Sequence, residues 1–140
     1  MMLSCCASRR FAAAMAAGRP YPSLAAAEAA TRAALAPLTW DDALEAMSAH
    51  PRIGDRAAGQ SAAEQSGVAE ESRAALAAGN ARYEERFGHV FLICATGLSG
   101  EQMRAALEER LDNDPSSERA VATAELARIT LLRVRKALGP

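Results

Sequence analysis

The sequence is poor in aromatic residues, and this shortage limits the kind of core that it can build. Aromatic side chains make up 4% of the 140 residues, whereas 50% of the residues are hydrophobic and alanine fills long stretches. A core of many small side chains favours closely packed helices over sheets. We therefore predict an all-α fold, in a single compact domain that spans residues 1–140.

Cysteine, histidine and lysine are also scarce, which argues against disulfides, metal sites and amine chemistry. The three cysteines, Cys5, Cys6 and Cys94, are an odd number with two adjacent, and together with the two histidines they show no metal-ligand spacing. Lys136 is the only lysine, which disfavours a Schiff base or pyridoxal phosphate. Glycine-rich phosphate loops are missing. We therefore expect no metal and no cofactor.

The charge pattern provides no surface for polyanions. The net charge is -1, from 16 basic and 17 acidic residues mixed along the chain, so we expect neither nucleic acid nor membrane as a partner. No run approaches the roughly 20 apolar residues that span a bilayer. Arg9 and Arg10 follow the short apolar start, which is the reverse of the order in a secretory signal. With free cysteines, these features predict a cytoplasmic protein.

Capping residues, glycines and prolines predict about six to seven helices. The expected segments are 3–17, 24 to about 36 after the N-cap Ser23, 40 to about 50 after Thr39, a capped turn at 61–64, 68–87, 100 to about 113 after Ser99, and 115–138 with Pro115 first. Trp40, Leu44 and Met47 form the expected apolar stripe of the third segment. Residues 52–60, with Gly54 and Gly59, are expected to form a loop.

Residues 89–95 are the one β-like run in the sequence. A single strand has no partner for its backbone hydrogen bonds, which a stable sheet requires. We therefore interpret the run as a buried extended segment or an irregular helix start. Cys94 lies within it, and such an apolar setting favours a packed thiol over a nucleophile.

The two histidines both follow predicted helices, with different expectations. His50 precedes Pro51 and a glycine-bearing loop, where it can either exchange protons near neutral pH or cap helix carbonyls. Both interpretations of His50 stay open. His89 follows Gly88, and contact with the preceding helix carbonyls is the favoured interpretation there.

Two charged residues have both a structural and a functional interpretation. Ser61 and Glu64 have the spacing of a capping box, which would engage the carboxylate with a backbone amide, yet a helix start can also bind an anionic or carbonyl-bearing ligand. Arg133 lies among Ile129, Leu132 and Val134. The residue types alone favour snorkelling to solvent over an inward orientation toward an anion.

Several short motifs occur in an order and spacing that are specific as a set. They are His50-Pro51-Arg52-Ile53-Gly54, Ser61-Ala62-Ala63-Glu64-Gln65, Asn80-Ala81-Arg82-Tyr83, Phe87-Gly88, Phe91-Leu92-Ile93-Cys94-Ala95, and Glu125-Leu126-Ala127-Arg128-Ile129 with Arg133. Over nearly the whole chain this set resembles the 2-oxo-4-hydroxy-4-carboxy-5-ureidoimidazoline (OHCU) decarboxylase family of urate breakdown. The resemblance implies a helical homodimer that decarboxylates this small molecule to (S)-allantoin without a cofactor.

The resemblance also implies roles for individual residues. His50 would be the catalytic proton donor, with Glu64 and Arg133 completing the catalytic set. The implied substrate-binding residues are Pro51, Ser61, Ala62, Ala63, Glu64, Gln65, Phe91, Leu92, Ile93, Cys94 and Ala95. The extended apolar segment then becomes a pocket wall that presents backbone groups to a flat heterocycle. Two alternatives stay open: a non-catalytic helical ligand-binding module, and a carboxy-lyase for a related ureido or imidazolone acid.

Overall fold

The computed structural model of the chain describes residues 5–50 and 70–138. Its helices are α1 (Arg9–Ala17), α2 (Leu24–Leu35), α3 (Trp40–Met47), α4 (Glu70–Phe87), α5 (Gly100–Leu111) and α6 (Pro115–Leu138). Within these two ranges no strand occurs. The all-α prediction is confirmed. The predicted loop at 52–60 and the predicted turn at 61–64 lie outside the described residues.

Helix starts are set by the capping residues that the sequence indicates. Thr39 and Asp42 form a reciprocal capping box, with distances of 3.2 Å from Asp42 N to Thr39 Oγ1 and 3.0 Å from Thr39 N to Asp42 Oδ2. Ser99 and Gln102 repeat this arrangement at α5. Each box satisfies backbone amides that a helix start leaves without an intrahelical acceptor. The predicted starts of α3 and α5 are therefore confirmed.

Two boundaries differ from the prediction. Residues 6–8 are not helical and interrupt the predicted helix 3–17, so that a helix begins at Arg9: Ser8 adopts an extended conformation and its hydroxyl accepts a hydrogen bond from Phe11 N at 3.3 Å. A serine that bonds the local backbone in this way starts a helix. The third helix ends at Met47, before the predicted exit near His50.

The buried face of α3 also differs from the expected stripe. Ala43, Ala46 and Met47 are its buried residues, whereas Trp40 and Leu44 are only half-buried. Two of the three buried residues are alanines, and their small side chains permit close packing on this face. Of the expected apolar stripe, Met47 is buried and Trp40 and Leu44 are half-buried.

The chain divides into two compact units, residues 1–49 with 123–140, and residues 50–122. In the first unit, the buried side chains of α1 include Phe11 and Met15. Tyr21 donates a hydrogen bond to the Met15 carbonyl at 2.5 Å. Exposed ion pairs join Arg9 to Glu45, Arg10 to Asp42 and Arg135 to Glu28. The prediction of one domain stays a prediction.

In the second unit, α4 and α5 pack together around an apolar core. Its buried residues are Leu76, Tyr83, Phe91, Ile93, Ala95, Met103 and Leu107. Gly79 lies where α4 approaches α5, and a β-carbon at that position would lie 2.4 Å from Leu107 Cδ2. The missing side chain therefore allows the two helices to approach closely. Gly88 ends α4 with φ +78°, a conformation that favours glycine.

Candidate functional site

The extended segment that the sequence singles out is part of the second unit's core. Phe91, Leu92, Ile93 and Ala95 are buried, Cys94 is half-buried, and the stretch is neither helix nor strand. The prediction of a buried extended segment is confirmed. Half-burial leaves the Cys94 thiol less enclosed than a fully packed core thiol.

Arg110, on α5, holds this segment through its backbone. Its Nη1 donates a hydrogen bond to the Leu92 carbonyl at 2.7 Å, and its guanidinium carbon lies 4.5 Å from the centre of the Phe91 ring. The same arginine therefore contacts the segment through a charge-assisted hydrogen bond and through a cation–π contact.

Glu118, on α6, anchors that arginine in a fully buried position. Its side chain is 0% exposed, and Arg110 is 7% exposed. Glu118 Oε1 accepts hydrogen bonds from Arg110 Nε at 2.7 Å and from the Tyr83 hydroxyl at 2.5 Å, while Oε2 accepts from Asn113 Nδ2 at 3.0 Å. Burial, followed by the bond to Glu118, raises the pKa of Tyr83, so its hydroxyl remains a donor. We call Tyr83, Arg110, Asn113 and Glu118 the buried polar cluster.

Sequence reasoning missed the buried polar cluster, although a signal for it exists. Arg110 follows Met103 and Leu107 at the spacing of one helix face, and Glu118 precedes Ala122 at the same kind of spacing. A charged residue of each sign thus falls on an otherwise buried helical stripe. Because buried charges need a partner, each of these positions indicates a buried partner of opposite charge.

The catalytic residues implied by the family resemblance are only partly described. His50 is half-buried shortly after α3 and belongs to the second unit, whereas Arg133 belongs to the first. Arg133 is 7% exposed, so the snorkelling interpretation was wrong. Pro51 and residues 61–65, with Glu64 among them, lie outside the described residues.

The setting of Arg133 includes a buried thiol. Burial raises the pKa of Cys6, whereas hydrogen bonds with the Ser8 backbone and the Thr130 side chain, and the charge of Arg133, lower it. Glu45 adds a smaller effect that raises it. The Arg133 charge is therefore close enough to act on a buried neighbour within the first unit.

A shallow cavity of about 500 Å³ lies elsewhere in the first unit. Its lining consists of Arg19, Pro20, Tyr21, Pro22, Ser23, Leu24, Ala27 and Leu138, and none of the predicted site residues is among them. In the part of the chain that the structure describes, no cluster of histidine, cysteine or acidic side chains is suited to a metal ion. None of the described helices combines the length and apolarity of a membrane span.

Comparison with known proteins gives consistent matches. The family model for OHCU decarboxylase matches residues 1–135. The Arabidopsis thaliana uric acid degradation bifunctional protein TTL is 36% identical over 144 residues, covering 94% of this chain and 44% of that protein. The Haloferax volcanii 2-oxo-4-hydroxy-4-carboxy-5-ureidoimidazoline decarboxylase is 28% identical over 123 residues, covering 83% of this chain and 73% of that protein. A protein of the same name from Amia calva is 45% identical over 56 residues.

Solved structures agree with these sequence matches. A crystal structure of OHCU decarboxylase in the presence of (S)-allantoin has a TM-score of 0.88 at 34% identity, covering 99% of this chain and 96% of that one. A crystal structure of (S)-allantoin synthase has a TM-score of 0.64 at 20% identity, which shows a shared fold alone. The chain spans 44% of the Arabidopsis relative, and its match covers 32% of the Amia relative. With the family model matched from residue 1 to residue 135, the chain belongs to the OHCU decarboxylase family.

Proposed function

We propose that the protein catalyses the cofactor-independent decarboxylation of OHCU to (S)-allantoin in urate breakdown. The observation that carries this proposal is the likeness, over 99% of the chain, to an OHCU decarboxylase crystallised in the presence of (S)-allantoin. At 34% identity, the two proteins share more than a fold. Because a fold alone does not determine a function, the proposal also assigns a chemical role to each catalytic residue.

The chemistry needs control of geometry and of one proton. Loss of CO₂ breaks the bond between the ring carbon and the carboxylate, and the electron pair of that bond stays on the ring carbon and spreads into the neighbouring ring imine. The imine nitrogen takes up a proton, the hydroxyl on the decarboxylated carbon loses its proton and becomes a carbonyl, and a proton delivered to the adjacent ureido-bearing ring carbon completes allantoin. The breaking bond must lie out of the ring plane so that it overlaps the π system, which requires tight orientation of the carboxylate.

We assign Arg133, Glu64 and His50 to these tasks. Arg133, a residue that is 7% exposed, is suited to hold an anionic or carbonyl part of the substrate, because the planar guanidinium presents several donors in a fixed fork. Glu64 grips a ring donor or the hydroxyl group. His50 delivers the proton to one face, which yields a single enantiomer, and its half-buried position leaves room for exchange with solvent.

The extended segment supplies one wall of the binding site in this proposal. Residues 91–95 present backbone groups to the flat ring of the substrate, and Pro51 with residues 61–65 completes the contacts. We also propose that the protein acts as a homodimer in the cytoplasm. Sedimentation should show an association that depends on concentration, and a monomer at every concentration would contradict the homodimer.

The test generates OHCU in place from urate with uricase and hydroxyisourate hydrolase and follows optical activity. We expect rapid formation of (S)-allantoin with the wild type, and a loss of about 10²–10⁴-fold in rate for His50→Ala with the free energy of unfolding nearly unchanged. Arg133→Gln should also slow turnover. Arg128→Gln is its matched control, because Arg128 lies on the same helix, is exposed and pairs with Glu125.

Other outcomes would point to the alternative functions. If wild type leaves the slow racemic decay of OHCU unchanged yet binds (S)-allantoin, the protein is a binding module. If it does neither, a related ureido or imidazolone acid becomes the substrate to test. Full stereospecific activity in His50→Ala would remove the proton-donor assignment.

A further inference from the structure

The extended segment needs hydrogen-bond partners from other parts of the fold for its backbone. Residues 91–95 have no strand beside them in the described part of the chain, so their backbone groups depend on contacts other than a ladder. At its far end, Leu98 N donates a hydrogen bond to the Ala95 carbonyl at 3.0 Å, which closes a turn before α5. In the middle, the Leu92 carbonyl accepts from Arg110 Nη1 at 2.7 Å.

The anchor is itself held from several sides. Arg110 directs Nε to Glu118 and Nη1 to Leu92, so one planar group joins an α6 carboxylate to the segment. Tyr83 and Asn113 donate to the same carboxylate and keep it in place. The Phe91 ring lies against the Arg110 guanidinium. It also makes an edge contact with the Tyr83 ring, with 5.3 Å between the two ring centres. The position of Leu92 is therefore set by three helices together.

We propose that Arg110 is a positioning residue for substrate binding, which holds the Leu92 carbonyl so that residues 91–95 keep the conformation that contacts the substrate. This inference rests on the proposed function, in which the segment forms a wall of the site. Arg110 does not touch the substrate in this proposal. It acts through the backbone of the segment.

An arginine is required because one side chain must donate to the Glu118 carboxylate and to the Leu92 carbonyl at the same time. Its guanidinium carries donors in a rigid planar fork, whereas a lysine ammonium is a point charge on a flexible stem. Arg110→Lys can therefore keep the ion pair with Glu118 while it loses the fixed donor to Leu92. This variant separates the positioning role from the stabilising role of the charge pair.

The test compares wild type, Arg110→Lys and Arg104→Gln. Arg104 lies on the same helix and pairs at the surface with Glu101 and Glu108, which makes it a matched control. For Arg110→Lys we expect an increase of about tenfold in KM for OHCU, with kcat changed less than about twofold. Amide and carbonyl chemical shifts should change mainly in residues 91–95. Arg104→Gln should change neither quantity.

Each outcome decides the inference. A folded Arg110→Lys with wild-type KM and unchanged chemical shifts in residues 91–95 overturns it. A fall in kcat at unchanged KM overturns it too, because a positioned binding wall acts on affinity. If the wild type is inactive on OHCU, the proposed function fails by itself. The chemical shifts then still decide whether Arg110 holds the segment.

Discussion

Arginine and glutamate form a buried ion pair in the second unit and exposed ion pairs in the first. In the second unit, Arg110 and Glu118 are both buried. The Glu118 carboxylate accepts hydrogen bonds from Arg110 and from two further donors, Tyr83 and Asn113. In the first unit, Arg9 is 86% exposed in its pair with Glu45, and Arg135 is 47% exposed in its pair with Glu28. The same residue types therefore differ in effect because of their burial. The buried pair fixes the position of a backbone segment, whereas the exposed pairs only connect side chains at the surface.

The energetic consequence of burial is asymmetric. Removing two charges from water costs several kcal/mol per ion, and their attraction offsets that cost only with good geometry and satisfied neighbours. Exposed pairs carry neither the large cost nor the large penalty of disruption. The buried polar cluster is thus better explained by the position it gives to Leu92 than by net stabilisation of the fold.

The largest expected effect comes from removing one member of the buried pair. Arg110→Met strands the Glu118 carboxylate in the core and should lower the free energy of unfolding by about 3–5 kcal/mol. Urea unfolding monitored by circular dichroism measures the change. Arg104→Met, at the surface of the same helix, should have little effect.

A double variant sharpens this first prediction. Arg110→Met combined with Glu118→Leu leaves no stranded charge, so it should recover part of the stability that Arg110→Met loses. If the double variant is less stable than Arg110→Met alone, the stranded carboxylate is not the cause of the loss.

A pair of tyrosines compares the units with the same substitution. Tyr83 donates to a buried carboxylate, and Tyr21 donates to the neutral carbonyl of Met15. Hydrogen bonds to charged groups contribute about 1.5–3 kcal/mol and neutral ones about 0.5–1.5 kcal/mol, so Tyr83→Phe should destabilise more than Tyr21→Phe. Equal effects in thermal and urea unfolding would remove the contrast between the units.

The smallest expected effect concerns the surface pair of the first unit. Hydrogen bonds from the Arg9 backbone and side chain lower the pKa of Glu45. A lowered folded-state pKa means that its stabilisation is present above the unfolded value of about 4.3 and is lost as pH falls through the folded value. Glu45→Gln should therefore lower the melting temperature slightly at pH 7 and at low salt. The difference from wild type should vanish in acid and shrink in high salt, and a difference that persists in acid would contradict this origin.

The sequence predicted most helices because their boundaries are local. Thr39, Ser99 and Gly88 act through neighbours within one turn, so their types and spacing suffice to place a helix end. The start at Arg9 was missed because Ser8 lies within an apolar, alanine-rich stretch that also fits a longer helix. The run at 89–95 was predicted to be a buried extended segment or an irregular helix start, and not a strand of a sheet, because the sequence contains no second β-like run to pair with it.

The sequence by itself determined the all-α class, the capped helix starts and the family, because these depend on short-range spacing and on motifs read in order. Only the tertiary structure decided that Arg133 is buried and that Arg110 and Glu118 meet around the Leu92 carbonyl. Burial of a charge depends on which distant side chains supply its hydrogen bonds and exclude water. Those partners lie on separate helices, so the pattern of one helix can place a charged residue on a buried face but does not specify which residue it meets.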